Sequence, residues 1–201
     1  MIAIIDYGAG NVKSLQFALT KENMDSCLTT DPKRIQNSKA IILPGVGAFN
    51  DAMETLHKLG LIEVLKQEVA AGKPVLGICL GMQLFYETSY EDGSWDGLGL
   101  LQGEVSRISS SVKVPHMGWN NITQEKESPW FTSITDNAYV YFVHSYAVSS
   151  FREETLLAST DYGGKVPAIV QKDNITGIQF HPEKSGTTGM QLLQNFGEMM
   201  S

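Results

Sequence analysis

Three residues of this chain have types and settings suited to cleaving an acyl bond by nucleophilic attack: Cys79, His181 and Glu183. Cys79 lies in Gly77-Ile78-Cys79-Leu80-Gly81, a G-x-C-x-G run that is the thiol form of the G-x-S-x-G nucleophile elbow. At such a corner the nucleophile adopts a strained backbone conformation and points outward above a sheet, and glycines two residues to either side let strand and helix pass closely. A helix N-terminus also favours the thiolate, the form that attacks carbonyls. Free cysteines are more often small buried hydrophobes. That is how we read Cys27, which has neither glycines nor a helix start beside it.

A thiolate hydrolase needs a base to accept and return a proton, and a third group to orient that base. Of the four histidines, His57 falls on the polar side of a predicted helix and reads as surface, while His116 and His144 stay open. His181 follows the apolar stretch 175–180 and begins His181-Pro182-Glu183. The proline fixes the backbone between them, so that the Glu183 carboxylate can fold back on the imidazole and stabilise its charged form. The acyl intermediate also needs donors aimed at its developing negative oxygen. One is the N–H of Leu80, the residue after the nucleophile, and the loop Gly45-Val46-Gly47 could give the second.

These residues need elements to hold them. The apolar run 75–78 stops at Cys79, and 82–87, free of Gly and Pro, reads as a helix. Upstream, residues 1–7 form a strand, followed by a helix with Val12, Leu15, Ala18 and Leu19 on one face. The turn between them, Gly8-Ala9-Gly10-Asn11, is not a dinucleotide fingerprint, because Lys13 stands where the third glycine belongs. A strand over 25–30 follows, then a short helix started by Asp31-Pro32, a strand at 40–43 running into Pro44-Gly45-Val46-Gly47, and helices at 50–59 and 61–71. This alternation predicts a mainly parallel sheet, whose strand ends collect ligands. Beyond residue 90 short strands dominate, at 103–108, 138–146, 155–162, 168–172 and 175–180, with a final helix at 190–200. The expected fold is α/β and three-layered, with a mainly parallel central sheet, a nucleophile elbow and an added antiparallel strand region.

The chain of 201 residues suits one domain over 1–201. A net charge of −7 with no Lys/Arg block argues against a nucleic-acid partner. Two cysteines do not make a disulfide framework, and reduced thiols suit the cytosol. The start, MIAIIDYGAG, lacks a basic leader and a cleavage site, and no apolar run reaches membrane-spanning length. The expectation is a soluble cytoplasmic protein.

With these residues assembled, the chain resembles the class I, triad-type glutamine amidotransferases, which share G-x-C-x-G, an earlier Pro-Gly-x-Gly loop and a late His-Pro-Glu in this order. Further blocks extend the likeness over nearly the whole chain: DYGAGN from Asp6, LPGVGAF from Leu43, GICLGMQL from Gly77, GLGLLQGEV from Gly97, VPHMGWN from Val114, VHSYAV from Val143 and GIQFHPEKSG from Gly177. One departure is Gln102, where the pattern has proline, and it lies away from the chemistry. The resemblance implies Cys79 as nucleophile, His181 as acid and base, Glu183 as its orienting partner, and an oxyanion site from Leu80 and Gly45-Val46-Gly47. It implies Gln83, His144, Ser145 and Tyr146 as binders of L-glutamine, which is hydrolysed to glutamate through a γ-glutamyl thioester with release of ammonia. It further implies a heterodimer with a (β/α)₈-barrel cyclase subunit that takes up the ammonia. Asn11, Met117, Trp119, Asn120, Tyr139, Tyr141 and Lys184 are its candidate docking residues. No cofactor and no metal enter this scheme. The rival readings are a glutaminase serving a different synthase, such as one making pyridoxal phosphate, a catalytically inactive regulatory subunit on the same fold, and a cysteine peptidase.

Overall fold

The computed structural model describes residues 1–8, 10 and 12–200. Strands and helices alternate through the first part: β1 (Ile2–Ile5), α1 (Val12–Lys21), β2 (Ser26–Thr29), α2 (Pro32–Gln36), β3 (Ala40–Gly45), α3 (Phe49–Lys58), α4 (Leu61–Ala70), β4 (Val75–Cys79) and α5 (Leu80–Gln83). Strands then dominate: β5 (Thr88–Ser89), β6 (Trp95–Asp96), β7 (Gly103–Arg107), β8 (His116–Asn121), β9 (Thr123–Gln124), β10 (Tyr139–His144), β11 (Tyr146–Phe151), β12 (Leu156–Asp161), β13 (Lys165–Lys172) and β14 (Ile175–Ile178), before α6 (Gly186–Met199).

The main sheet has the order β2-β1-β3-β4-β14-β13-β12-β9. The pairs from β2 to β14 are parallel, and those from β14 to β9 antiparallel. Side-chain alternation along the central strands divides the core in two. Ile2, Ile4 and Ile42 pack with Leu15, Leu19, Leu192 and Phe196 from α1 and α6 on one face. Ala3, Ile5, Ile41 and Leu43 pack with Ile35, Leu56 and Leu65 from α2, α3 and α4 on the other. The expected three-layer α/β arrangement is present. The α1 face holds the four buried residues that its periodicity picks out, and Asp31 caps α2 by accepting from the Lys33 amide at 2.9 Å. Among the described residues no helix is long and apolar enough to cross a membrane.

Two expectations fail. The helix read over 82–87 is only the single turn of α5. The carbonyls that would continue it are taken by the loop at 97–101: Leu84 O accepts from Leu98 N at 2.8 Å, and Phe85 O accepts from Leu100 N and Leu101 N, each at 2.8 Å. Those bonds are as good as helical ones, and they bury Phe85 and Tyr86 as well. The strand read over 138–146 is two strands in different sheets. β10 pairs antiparallel with β8 in a two-stranded ribbon, and β11 pairs with β7 in a second small sheet with β5 and β6. Ser145 is the crossing point, its carbonyl accepting from Ile108 N at 3.0 Å. An unbroken apolar and aromatic run does not reveal that its partner strand changes midway.

Candidate active site

Cys79 ends β4 with φ +56° and ψ −112°, the left-handed strain expected of an elbow nucleophile. Gly77 and Gly81 permit the corner. A methyl group on Gly81 would sit 1.8 Å from the carbonyl oxygen of Leu43, and one on Gly77 would sit 2.5 Å from the Phe85 ring. The neighbouring strand β3 brings Gly45 into register with Cys79, so the Gly45-Val46-Gly47 loop leaves the sheet beside the thiol. The Tyr7 hydroxyl donates to Pro44 O at 2.9 Å and fixes the start of that loop. Burial first, and then the charge of Cys79, push the Tyr7 phenol pKa up, so it stays a neutral donor.

On the other side β14 runs parallel to β4, which carries His181 to the same end of the sheet. Its Nδ1 pairs with Glu183 Oε1 at 2.9 Å, and both side chains are almost fully buried, 5% and 6% exposed. Burial alone would disfavour the charged ring. Interaction with the nearby Cys79 sulfur, and then with the Glu183 carboxylate, outweighs it and pushes the His181 pKa up to about 10. The Nε2 atom is buried and, among the described residues, meets no acceptor at hydrogen-bond geometry. Ring and sulfur thus interact without an aligned hydrogen bond, a common state of such pairs before substrate tightens them. The turn itself is held by Ser185, whose hydroxyl donates to His181 O at 2.6 Å and accepts from Tyr141 N at 2.9 Å.

Cys79 opens into a pocket of about 400 Å³. Val46, Gly47, Leu80, Gln83, His144, Ser145 and Tyr146 line it, so the thiol, the two candidate oxyanion segments and all four candidate glutamine binders meet in one cavity. The amide nitrogen of Gln83 is already committed, donating to Tyr146 O at 2.8 Å and Gln179 Oε1 at 3.0 Å. Both ring nitrogens of His144 are occupied too, by Tyr146 O at 2.8 Å and His116 Nδ1 at 3.1 Å. The His144 ring thus shapes the pocket and does not reach into it as a ligand. Among the described residues no three His, Cys, Asp or Glu side chains cluster to hold a metal ion.

Of the docking candidates, Met117, Trp119 and Tyr139 are exposed on the β8–β10 ribbon, and Trp119 lies opposite Tyr141 with the rings 6.0 Å apart and edge-on. Lys184 is exposed on the His181–Glu183 turn and also lines the pocket. Asn120 belongs to the opposite face, its amide turned to His116 and to Asp161 O. Asn11 lies outside the described residues.

Two residues in or beside the pocket escape the sequence reading. Glu91 lines the cavity and caps α3, its Oε2 accepting from Phe49 N at 2.7 Å; burial is the main force raising its carboxyl pKa. It sits in a loop with no motif to mark it. Gln179 is fully buried and sends its Nε2 to Cys79 Sγ at 3.8 Å. A glutamine inside the apolar run 175–180 is a usable signal, because a buried polar side chain needs a partner.

The elbow, the His–Glu turn and the shared pocket on an α/β sheet define a triad-type amidohydrolase. The glutamine amidotransferase class-I family model matches residues 3–200, and the chain belongs to that family. Two relatives are each called imidazole glycerol phosphate synthase subunit HisH. That of Oceanobacillus iheyensis is 64% identical over 200 residues, covering 100% of both chains. That of Caldanaerobacter subterraneus subsp. tengcongensis is 49% identical over 200 residues, covering 100% of this chain and 98% of the relative. Among solved structures, a glutamine amidotransferase superposes with a TM-score of 0.79 at 18% identity over 99% of this chain and 98% of its own. PurLQS from Thermotoga maritima does so with a TM-score of 0.79 at 17% identity over 100% and 98%. At such identities these two structures speak for the fold alone.

Proposed function

We propose that this chain is the glutaminase subunit of imidazole glycerol phosphate synthase, an enzyme of histidine biosynthesis. It hydrolyses L-glutamine and hands the ammonia to a cyclase subunit. The observation that carries the chemistry is Cys79 at a strained elbow with the buried His181–Glu183 pair on the turn that follows the adjacent parallel strand. The synthase assignment is supported by relatives of that name matched from end to end.

In this reading Cys79 attacks the side-chain amide carbon of glutamine. The oxyanion is held by the Leu80 N–H and the Gly45-Val46-Gly47 loop. The imidazolium of His181 protonates the departing nitrogen, so ammonia leaves and a γ-glutamyl thioester remains. His181 then takes a proton from water, which attacks the thioester, and glutamate and free thiol are restored. Glu183 keeps the ring oriented and stabilises its charged form. Ammonia set loose in neutral water is protonated and no longer nucleophilic, so the acceptor must be docked over the pocket.

The partner is a (β/α)₈-barrel cyclase. It adds the nitrogen to an open-chain phosphoribosyl carboxamide and yields imidazole glycerol phosphate and an aminoimidazole carboxamide ribotide. The exposed ribbon bearing Met117, Trp119, Tyr139 and Tyr141, beside Lys184, forms its seat, since aromatic side chains are common interface anchors. Residues 1–201 act as one domain, in the cytoplasm. The test mixes the chain with the cyclase from the same organism and follows glutamate release with and without the cyclase's substrate. We expect weak turnover by the isolated chain and a strong rise with the liganded partner. Full turnover without the partner contradicts the gating, and no turnover in any combination contradicts the glutaminase assignment.

A further inference from the structure

Behind the ribbon's exposed face lies a buried pair of imidazoles for which the triad has no use. His116 and His144 are directly paired across β8 and β10, and both are buried. His116 is stacked between two rings, Tyr162 at 3.7 Å and Phe142 at 4.6 Å between centroids. The hydrogen bonds around the pair allow only one direction. Tyr146 O can only accept, so His144 must carry its proton on Nδ1. In the neutral ring Nε2 is then an acceptor, so the contact at 3.1 Å is a donation from His116 Nδ1–H. His116 Nε2 is left to accept from the Asn120 amide at 3.4 Å. That amide cannot be flipped, because its oxygen accepts from Asn121 N at 2.9 Å and its nitrogen donates to Asp161 O at 3.1 Å. Burial pushes the pKa of each ring down to about 4, which keeps both neutral near pH 7.

The series continues into the pocket. Tyr146 O also accepts from Gln83 Nε2, which donates in turn to Gln179 Oε1, and Gln179 Nε2 faces the Cys79 sulfur. Six contacts with settled directions thus run from Asn120 on the ribbon to the nucleophile.

We propose that His116 is a positioning residue of the glutaminase reaction: by donating to His144 it fixes that ring as a donor to the Tyr146 carbonyl, and so ties the pocket wall at Tyr146 and Gln83 to the ribbon. The proposal rests on the glutaminase reading above. Contiguity of bonds does not itself demonstrate coupling, so the test measures proton position and substrate binding separately.

The first measurement is nitrogen NMR of the wild-type chain. Both imidazoles are neutral near pH 7 and carry the proton on Nδ1; a proton on Nε2 of either ring overturns the proposal, whatever the chain's activity. The second compares His116→Phe, which keeps a flat ring in the stack and cannot donate or accept, with His116→Asn, whose amide can still donate toward His144. In the complex with the cyclase, His116→Phe raises the KM for glutamine about tenfold, the size expected for a buried acceptor left unpaired. His116→Asn recovers most of that loss, and ammonium-fed synthesis is unchanged in both. A wild-type KM in His116→Phe, or equal impairment in the two variants, overturns the positioning role. A wild-type complex that releases no glutamate overturns the glutaminase reading instead.

Discussion

Replacing Glu183 by Gln keeps the shape of the side chain and removes the charge that faces His181 Nδ1 at 2.9 Å. A hydrogen bond to a charged group contributes about 1.5–3 kcal/mol and a neutral one about 0.5–1.5 kcal/mol. The loss at this contact is therefore about 1–1.5 kcal/mol, roughly tenfold in the step that needs the imidazolium. Glu183 Oε2 is buried without a partner among the described residues, so the new NH₂ finds no acceptor among them either. That adds about 1–3 kcal/mol of destabilisation without touching the chemistry. The pH dependence separates the two effects. His181 has its pKa raised from 6.5 to about 10, so its contribution to stability is fully present below pH 6.5 and is lost as the pH rises toward 10. In Glu183→Gln the folded-state pKa falls, and the basic limb of glutamine turnover moves to lower pH together with this loss. The assay is glutamate release against pH for the wild-type and variant complexes, with ammonium-fed synthesis as a control that stays constant. A variant with the wild-type rate and an unmoved basic limb refutes the orienting and charge-stabilising role of Glu183.

Three further outcomes are expected. Gly81→Ala drives a methyl into the Leu43 carbonyl and forces β3 away from the elbow, so it costs about 3 kcal/mol or more and lowers the denaturation midpoint sharply; a near-wild-type midpoint contradicts the close approach. Trp119→Ala removes a half-exposed ring from the ribbon, weakening cyclase affinity by about tenfold or more with little change in stability; titration calorimetry showing equal affinity removes Trp119 from the interface. The lowered pKa values of His116 and His144 make the unfolded chain bind protons first, so stability declines as pH falls from about 6.5 to about 4. His116→Phe removes one of these two sites, and denaturant melts of the variant have a shallower acid slope; an unaltered slope contradicts the burial of a neutral ring at 116.

The first half of the fold is legible because its signals are local. Val12, Leu15, Ala18 and Leu19 recur at helical spacing, Asp31-Pro32 starts a helix, and the apolar runs at β1, β3 and β4 stop at Asp6, in a glycine turn and at the elbow. The candidate trio of Cys79, His181 and Glu183 is legible for the same reason, since elbow and His-Pro-Glu turn are each contiguous. Long-range pairing hides the rest. The chain at 84–86 stops being helical because amides from 97–101 compete for its carbonyls, and β8 is a strand because β10 lies beside it. His116 and Glu91 lie far in sequence from the groups they serve, so no local pattern could assign them, and Gln179 is marked only as a polar residue inside an apolar run. The same limit applies to His144. The family pattern marks it for the pocket, and only the structure has both ring nitrogens already bonded within the protein.

In the proposed reaction glutamine is cleaved through a thioester on Cys79 with His181 as proton carrier. Its most direct test is acid quench of the complex during glutamine turnover, followed by mass analysis of the cysteine-bearing peptides. One γ-glutamyl group is expected on the peptide containing Cys79 and none on that containing Cys27, with accumulation of the adduct when His181 is replaced by Asn and hydrolysis slows more than acylation. Glutamate formation at the full rate in Cys79→Ala, or an adduct on Cys27 alone, would contradict it.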